Sequence, residues 1–468
     1  EMCIRDRFIS MKLKSYFLIT LIVCAFFSCS DNDDPVSLAI TPVVPDATLS
    51  LAVQTDNRVK TKGGFIDDDV TGTTTTWDCQ VKTLTAVVFN DGAYSDNNIR
   101  VGTIAALFTH NYENPTSAPV IEGEVMSGKV NLLLIANLDA DVLDQLTASV
   151  NSTVSSARLT VADVLKLATP LSSETKEKGL TMSSEVLNVE LVAGTNFVGF
   201  GEKGTITVEG YGAGTEIYGN NPVELTRTVA AINMEGVLLP ETPDDGNPEY
   251  KNVSFTLDSV FVANVKSTAG IGTYGDVKTI EQSPLANGAL DPTYYLAPVN
   301  FTSYVGTYKT GEAKGDNSML RVLDPVQIIE ARTGTNVNTT TPDWKNTSAV
   351  APCYVYPNQN GETNVEGKHN YTLLVLRGTY RYKIGDDVVT ENNRYYTVIV
   401  NDGRQGGTIE GDEGKKAVHI QRNTKYRVTV QILGSGSDDP FTPAAFAHVA
   451  AQVKVADWNV IEIDEEVD

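Results

Sequence analysis

Residues 46–55 read Asp46-Ala47-Thr48-Leu49-Ser50-Leu51-Ala52-Val53-Gln54-Thr55. Ala47, Leu49, Leu51, Val53 and Thr55 alternate with Thr48, Ser50, Ala52 and Gln54, and a period of two over the whole stretch describes a strand with one face meant for burial. A polar run follows at once, Asp56-Asn57-Arg58-Val59-Lys60-Thr61-Lys62-Gly63-Gly64. Three basic residues in five positions make such a loop an easy target for a trypsin-like protease, with Arg58 the first site and Lys60 and Lys62 behind it. At the other end, 459–468 (NVIEIDEEVD) sets Ile461, Ile463 and Val467 on one face of an extended segment. Trp458 and Val460 complete that candidate strand.

Outward from 46–55 the chain reads as all-β, mainly strands with a few short helices. Stretches rich in Val, Ile, Thr and Tyr, bounded by Gly, Asn and Asp, fall at 82–90 (KTLTAVVFN), 129–137 (KVNLLLIAN), 184–192, 196–200, 204–209, 223–234, 252–262, 371–376, 394–400, 425–433 and 448–455. A helical period is confined to 139–149 and to 160–168, where Thr160 is placed as an N-cap before Val161, Val164, Leu165 and Ala168. Strands at short intervals with turn residues between them predict sandwiches rather than a parallel α/β sheet. Loops are expected at 240–248, 270–292 and 333–352, and a domain boundary at 221–228, where Asn220-Asn221-Pro222 breaks the chain.

Before the first strand, Met11-Lys12-Leu13-Lys14 leads an apolar run from Tyr16 to Ser28, then Cys29 and the acidic Ser30-Asp31-Asn32-Asp33-Asp34. A basic start, a short apolar run and a small residue before cysteine describe an export signal, too short to span a bilayer as a mature helix. A signal ending on cysteine reads as a lipoprotein signal, with Cys29 the lipidated residue. The acidic residues behind it resemble an export tag to the outer face of the outer membrane. Residues 1–10 precede a plausible start at Met11 and read as not native; 11–28 is the signal and 29–58 a propeptide holding the removable first strand.

Composition excludes several classes. With 468 residues the chain is long enough for two domains, and 41% hydrophobic content suffices for real cores. The net charge is −23, and residues 1–58 contribute five basic and seven acidic residues, so the remainder stays strongly acidic. Such a surface repels nucleic acid. After Cys29 only Cys79 and Cys353 remain, and two buried free thiols are expected. The four histidines, at 110, 369, 419 and 448, have no metal-ligand spacing. Gly199-Phe200-Gly201-Glu202-Lys203-Gly204 matches a dinucleotide fingerprint in letters, yet a strand-like stretch follows where that site needs a helix, so a hairpin turn is expected. No catalytic motif, cofactor site or metal site is predicted. Nineteen tyrosines and three tryptophans could stack on sugars, but no cluster singles out a site.

The order of segments resembles the FimA-type major fimbrial subunits of type V pili. The resemblance rests on Cys29, the strand from Ala47, Arg58, 84–90 (LTAVVFN), 132–137 (LLLIAN), 179–183 (GLTMS), 223–230 (VELTRTVA), and a C-terminal series of 421–428 (QRNTKYRV), 432–436 (ILGSG) and 453–458 (VKVADW). It implies two transthyretin-like β-sandwich domains in tandem, 59–224 and 225–468. It also implies an exported lipoprotein from which an arginine-specific protease removes the first strand. Ala47, Leu49, Leu51 and Val53 would leave a groove, and Ile461, Ile463 and Val467 of another subunit would supply the inward face that Leu49, Leu51 and Val53 had provided, by β-augmentation. At roughly 25 cal/mol per Å² of apolar area, the bare groove would cost several kcal/mol. The implied partners are other copies of the chain, accessory fimbrial subunits, the protease and, through the precursor's lipid, the outer membrane. The place is a fimbria on the cell surface. An anchor or tip subunit, or a monomeric glycan-binding surface lipoprotein, is the alternative reading.

Overall fold

The computed structural model describes residues 44–55, 77–96, 98–116, 119–200, 215–218, 222–241, 250–272, 295–296, 319–331, 350, 352–358, 372–400, 408–409, 412–416, 420–440 and 449–457. The first strand, β1 (Ala47–Thr55), forms where alternation predicts it. It is followed by β2 (Val81–Asn90), β3 (Ile104–Thr116), β4 (Val120–Val125) and β5 (Gly128–Ala136). Then come α1 (Ala140–Val150) and α2 (Val161–Leu165). Further along are β6 (Ala168–Pro170), β7 (Met182–Ser183), β8 (Leu187–Leu191), β9 (Gly194–Val198), β10 (Thr215–Tyr218) and β11 (Val223–Arg227). Neighbours run β10-β9-β1-β11-β7-β5-β2-β3, with β4 added on β1 and β8 on β5.

Why β2 and β5 read as unbroken apolar runs is now plain: both their faces are covered. Leu84, Ala86, Val88, Leu132 and Leu134 pack with the inward side chains of β1. Val87, Phe89, Leu133 and Ile135 point the other way, to Val142 and Leu146 of α1 and Val164 of α2. The helices start where expected. Asp139 accepts from the Asp141 amide to cap α1, and Thr160 caps α2 in a reciprocal box with Asp163.

A second group begins with β12 (Ala230–Leu238), β13 (Tyr250–Ala263), β14 (Val265–Lys266), β15 (Thr268–Gly270) and β16 (Tyr295–Leu296). It continues with β17 (Leu320–Glu330), β18 (Cys353–Val355), β19 (Leu373–Ile384) and β20 (Asp387–Ile399). Last come β21 (Thr408–Ile409), β22 (Asp412–Lys416), β23 (Thr424–Ile432) and β24 (Val449–Asp457). Among the described residues β14 pairs with β16 and β15 with β6 of the first group, and two larger sheets result, β18-β12-β23-β24-β21-β22 and β17-β13-β19-β20. Ile232, Met234, Val428 and Val430 of the first share a core with Phe255, Leu257, Leu376 and Tyr396 of the second, a sandwich arrangement. Among the described residues no helix is long and apolar enough to cross a membrane.

The structure differs from the sequence reading in several places. The single strand expected at 223–234 is two, because at Thr228 and Val229 the chain passes from one sheet to another. There the Thr228 amide donates to Thr181 O and Val229 O accepts from the Asn423 amide. The strands β3, β4 and β17 were not expected. They lie on sheet edges or carry polar and exposed residues, so their alternation is weak. The expected strand at 204–209 lies outside the described residues, as does most of the three long loops. Cys79 and Cys353 are both buried and free, and burial pushes the Cys353 thiol up, with Arg321 opposing.

Candidate functional site

The feature that organises the first group is the seat of β1. Between Ala47 and Leu51 it runs parallel to β9, from Ala47↔Gly194 to Leu51↔Val198. On its other edge it runs antiparallel to β4, from Ala47↔Val125 to Ala52↔Val120. Its last residues, Val53 to Thr55, pair in parallel with Val223 to Leu225 of β11. A strand at the head of the described chain thus occupies an interior position. Ala47, Leu49, Leu51 and Val53 are 5%, 0%, 0% and 1% exposed, and they meet Ile121, Val125, Leu187, Val189, Val198, Val223 and Leu225 in one core. At about 1.5–3 kcal/mol per fully buried aliphatic side chain, Leu49, Leu51 and Val53 together contribute roughly 5–9 kcal/mol, before the entropy of ordering the strand is set against it.

Polar contacts fix the strand's ends and register. Asp46 closes the start: its carboxylate accepts from the Ser127 amide and hydroxyl, both at 2.7 Å, and its carbonyl accepts from the Gly194 amide at 2.9 Å. The Ser127 bonds hold the Asp46 carboxyl below its ordinary value. Buried Asn196 donates to Thr48 O at 3.3 Å, while its amide group also ties Val192 and Gly194 together. The Ser50 hydroxyl donates to Glu122 Oε1 at 3.1 Å. Ser50 is fully buried although it lies on the face opposite Leu49 and Leu51, so the strand is covered on both sides there.

Where β9 ends and β11 takes over, Gly199 turns with φ of +82°. A Cβ there would sit 2.6 Å from Ala52 O and 3.0 Å from Pro222 Cα. Only glycine permits both the turn and the close approach. The first glycine of the supposed nucleotide fingerprint is therefore a wall of the groove, and 201–214 lies outside the described residues.

A second constellation joins the two groups of strands. Arg422 donates from Nε to Arg227 O, from Nη1 to Ile271 O and Gly272 O, and from Nη2 to Thr226 O and Ser183 Oγ. Arg227, 2% exposed, donates to Asp78 O and to Asn423 Oδ1. Glu174, fully buried, accepts from Tyr356 Oη and from the Thr181 amide and hydroxyl, with Lys178 Nζ 3.5 Å away. Thr424, next to Asn423, pairs with Asp457, so the last described residue of β24 leaves beside this seam.

The structure brings Ala47, Leu49, Leu51 and Val53 together as expected. Asp46, Ser50, Ser127, Glu122, Asn196 and Gly199 were missed. The aspartate before an alternating run was the one legible signal, since the others are partners in space and not in sequence. Cys29, Arg58, Lys60, Lys62, Trp458, Val460, Ile461, Ile463 and Val467 lie outside the described residues. Among the described residues no group of three or more His, Cys, Asp or Glu is placed to hold a metal ion.

Comparison with known proteins points one way. A family model described as major fimbrial subunit protein FimA matches residues 47–227. A second, the FimA4 pilin C-terminal domain, matches 381–458. The chain is 24% identical over 471 residues to the major fimbrium subunit FimA type-2 of Porphyromonas gingivalis, covering 96% of this chain and 98% of that one. Among solved structures, a Parabacteroides distasonis protein named for cell adhesion is 28% identical with a TM-score of 0.60, covering 90% of this chain and all of that one. A Porphyromonas gingivalis fimbrilin shares the fold at 17% identity, with a TM-score of 0.53 over 89% of this chain and 99% of that one.

Proposed function

We propose, from the premise that this chain belongs to the FimA-type family of fimbrial subunits, that it is the polymerising shaft subunit of a cell-surface type V fimbria. In this reading it is exported as a lipoprotein through Cys29 and matured by cleavage after Arg58. It assembles by strand exchange, as two tandem sandwich domains, 59–224 and 225–468. The observation that carries the reading is the seat of β1. The strand is held on both edges and buried along one whole face, yet it is joined to the rest by a stretch bearing Arg58, Lys60 and Lys62.

Cutting that stretch converts β1 from part of the chain into a bound peptide. Its loss would expose an apolar trough and the unpaired edges of β4, β9 and β11, which favour pairing with another strand. The residues 458–468 of a second copy supply that strand, through Ile461 and Ile463. A head-to-tail contact of this kind does not close on itself, so it propagates a fibre. Other copies and accessory fimbrial subunits are the partners, and adhesion is the service. No step requires catalysis by this chain.

The test is digestion of the purified precursor with trypsin. The expected result is a ladder of SDS-resistant oligomers whose subunits begin at Val59. Clean cleavage there with only monomers remaining would refute the reading and leave a monomeric surface lipoprotein.

A further inference from the structure

We propose that Glu122 is the specificity-determining residue of the β1 groove, and that Glu462 of an incoming second copy is the residue it discriminates against. The inference rests on the strand-exchange reading and concerns which strand the groove prefers. Its geometric basis is the seat of Ser50. The Cα partners of Ser50 are Glu122 on β4 and Phe197 on β9. Ser50 is fully buried between them, Phe197 is 3% exposed, and the Ser50 hydroxyl donates to Glu122 Oε1. The place therefore suits a small residue that donates a hydrogen bond.

Segment 459–468 cannot meet that requirement. Its one aliphatic pair at a spacing of two is Ile461 and Ile463, matching the pockets of Leu49 and Leu51, whereas seating Trp458 and Val460 there forces an indole into a leucine pocket and Glu462 into the pocket of Val53 or Ala47. Seated there, in either chain direction, the pair sets Glu462 in the place of Ser50. Moving the pair by one pocket puts Asn459 or Glu465 where Leu49 or Leu51 stood. Val467 lies four residues beyond Ile463 and falls outside the pocket of Val53, so the expectation that it replaces Val53 does not fit this register, and Glu465 or Asn459 stands there instead. In the best apolar register a carboxylate that only accepts hydrogen bonds thus replaces a donor and stands directly across from Glu122. Like charges opposite each other on antiparallel strands destabilise the pair. The groove therefore prefers its own β1 at this position, and a foreign strand with serine or lysine there outcompetes the C-terminal segment of this chain. The partner class so favoured is a subunit whose donor strand carries apolar residues two apart with a small or basic residue between them.

The experiment uses full-length precursors: wild type, Glu462→Lys, Glu462→Ser, Glu122→Gln and the pair Glu122→Gln with Glu462→Lys. Precursor melting is recorded first, then each is cleaved with an arginine-specific protease, which leaves the lysine of Glu462→Lys uncut, and the ladder's dissociation in guanidinium is timed. Glu462→Lys is expected to slow dissociation about tenfold, the effect of turning a repelling pair into an attracting one. Glu462→Ser should slow it by a few fold. In the Glu122→Gln background, most of the gain from Glu462→Lys should disappear. Equal rates for wild type and both position-462 variants would overturn the proposal. So would a gain from Glu462→Lys that persists in full with Glu122→Gln, since that would report bulk charge. No ladder from any precursor, wild type included, would overturn the strand-exchange reading itself and this proposal with it.

Discussion

Leu51→Ala tests whether β1 is a removable part. Leu51 is fully buried, between Val198 and Ile121 on the flanking strands, and its truncation should cost the precursor about 2–5 kcal/mol, the usual range for a buried leucine. Because cleavage after Arg58 would leave β1 held without a covalent tether, the same energy is lost from its hold on the groove. At about 1.4 kcal/mol per decade, β1 should leave roughly 30- to 4000-fold more readily. Opposite effects follow for the two states. The uncleaved precursor should melt at a lower temperature, while the cleaved one should polymerise faster. The finished ladder should be as stable as that of the wild type, since strand exchange would leave β1 out of it. Leu84→Ala is the control: Leu84 is also fully buried and shares the same core, but sits on β2, which stays. It should weaken precursor and ladder alike. Calorimetry of the precursor, a gel time course after trypsin and guanidinium dissociation of the ladder give the three readings. A Leu51→Ala ladder weakened as much as the Leu84→Ala ladder would refute the reasoning, because β1 would then still occupy the groove in the fibre.

Asp46 holds the start of β1 through Ser127, and its carboxyl lies below the ordinary value, so its contribution is complete above about pH 4 and fades as pH falls through the folded value. Release of cleaved β1 should accelerate in that acid window, and Asp46→Asn should lose part of that acid dependence, as read by fluorescence of a labelled strand. Gly199→Ala should destabilise the precursor by a few kcal/mol in chemical denaturation, since it meets both a positive φ and the Ala52 carbonyl. Arg422→Ala removes charged donors from Thr226 O, Arg227 O and Gly272 O, which should cost about 2–4 kcal/mol and raise hydrogen exchange at both 223–227 and 424–432.

Much of this was legible without coordinates. Alternation from Ala47 to Val53 identified β1 and its buried face, because side chains of an extended strand alternate whatever it pairs with. Thr160 announced α2 because a capping box is made within four residues of chain. The segments 223–230 and 421–428, read as strand stretches, a domain boundary and family markers but not as a tie, prove to hold Arg227, Arg422 and Asn423, the residues that tie the two groups of strands. The sequence could not say which strands would flank β1. That β9, far along the chain, would lie parallel to it and β4 antiparallel is a non-local choice, made by which apolar faces close the core together. Nor could it say that Ser50, on the polar face of the alternation, would be buried against Glu122 and Phe197. An amphipathic pattern records which face meets the core, whereas cover on the second face depends on neighbours that only the assembled sheet supplies.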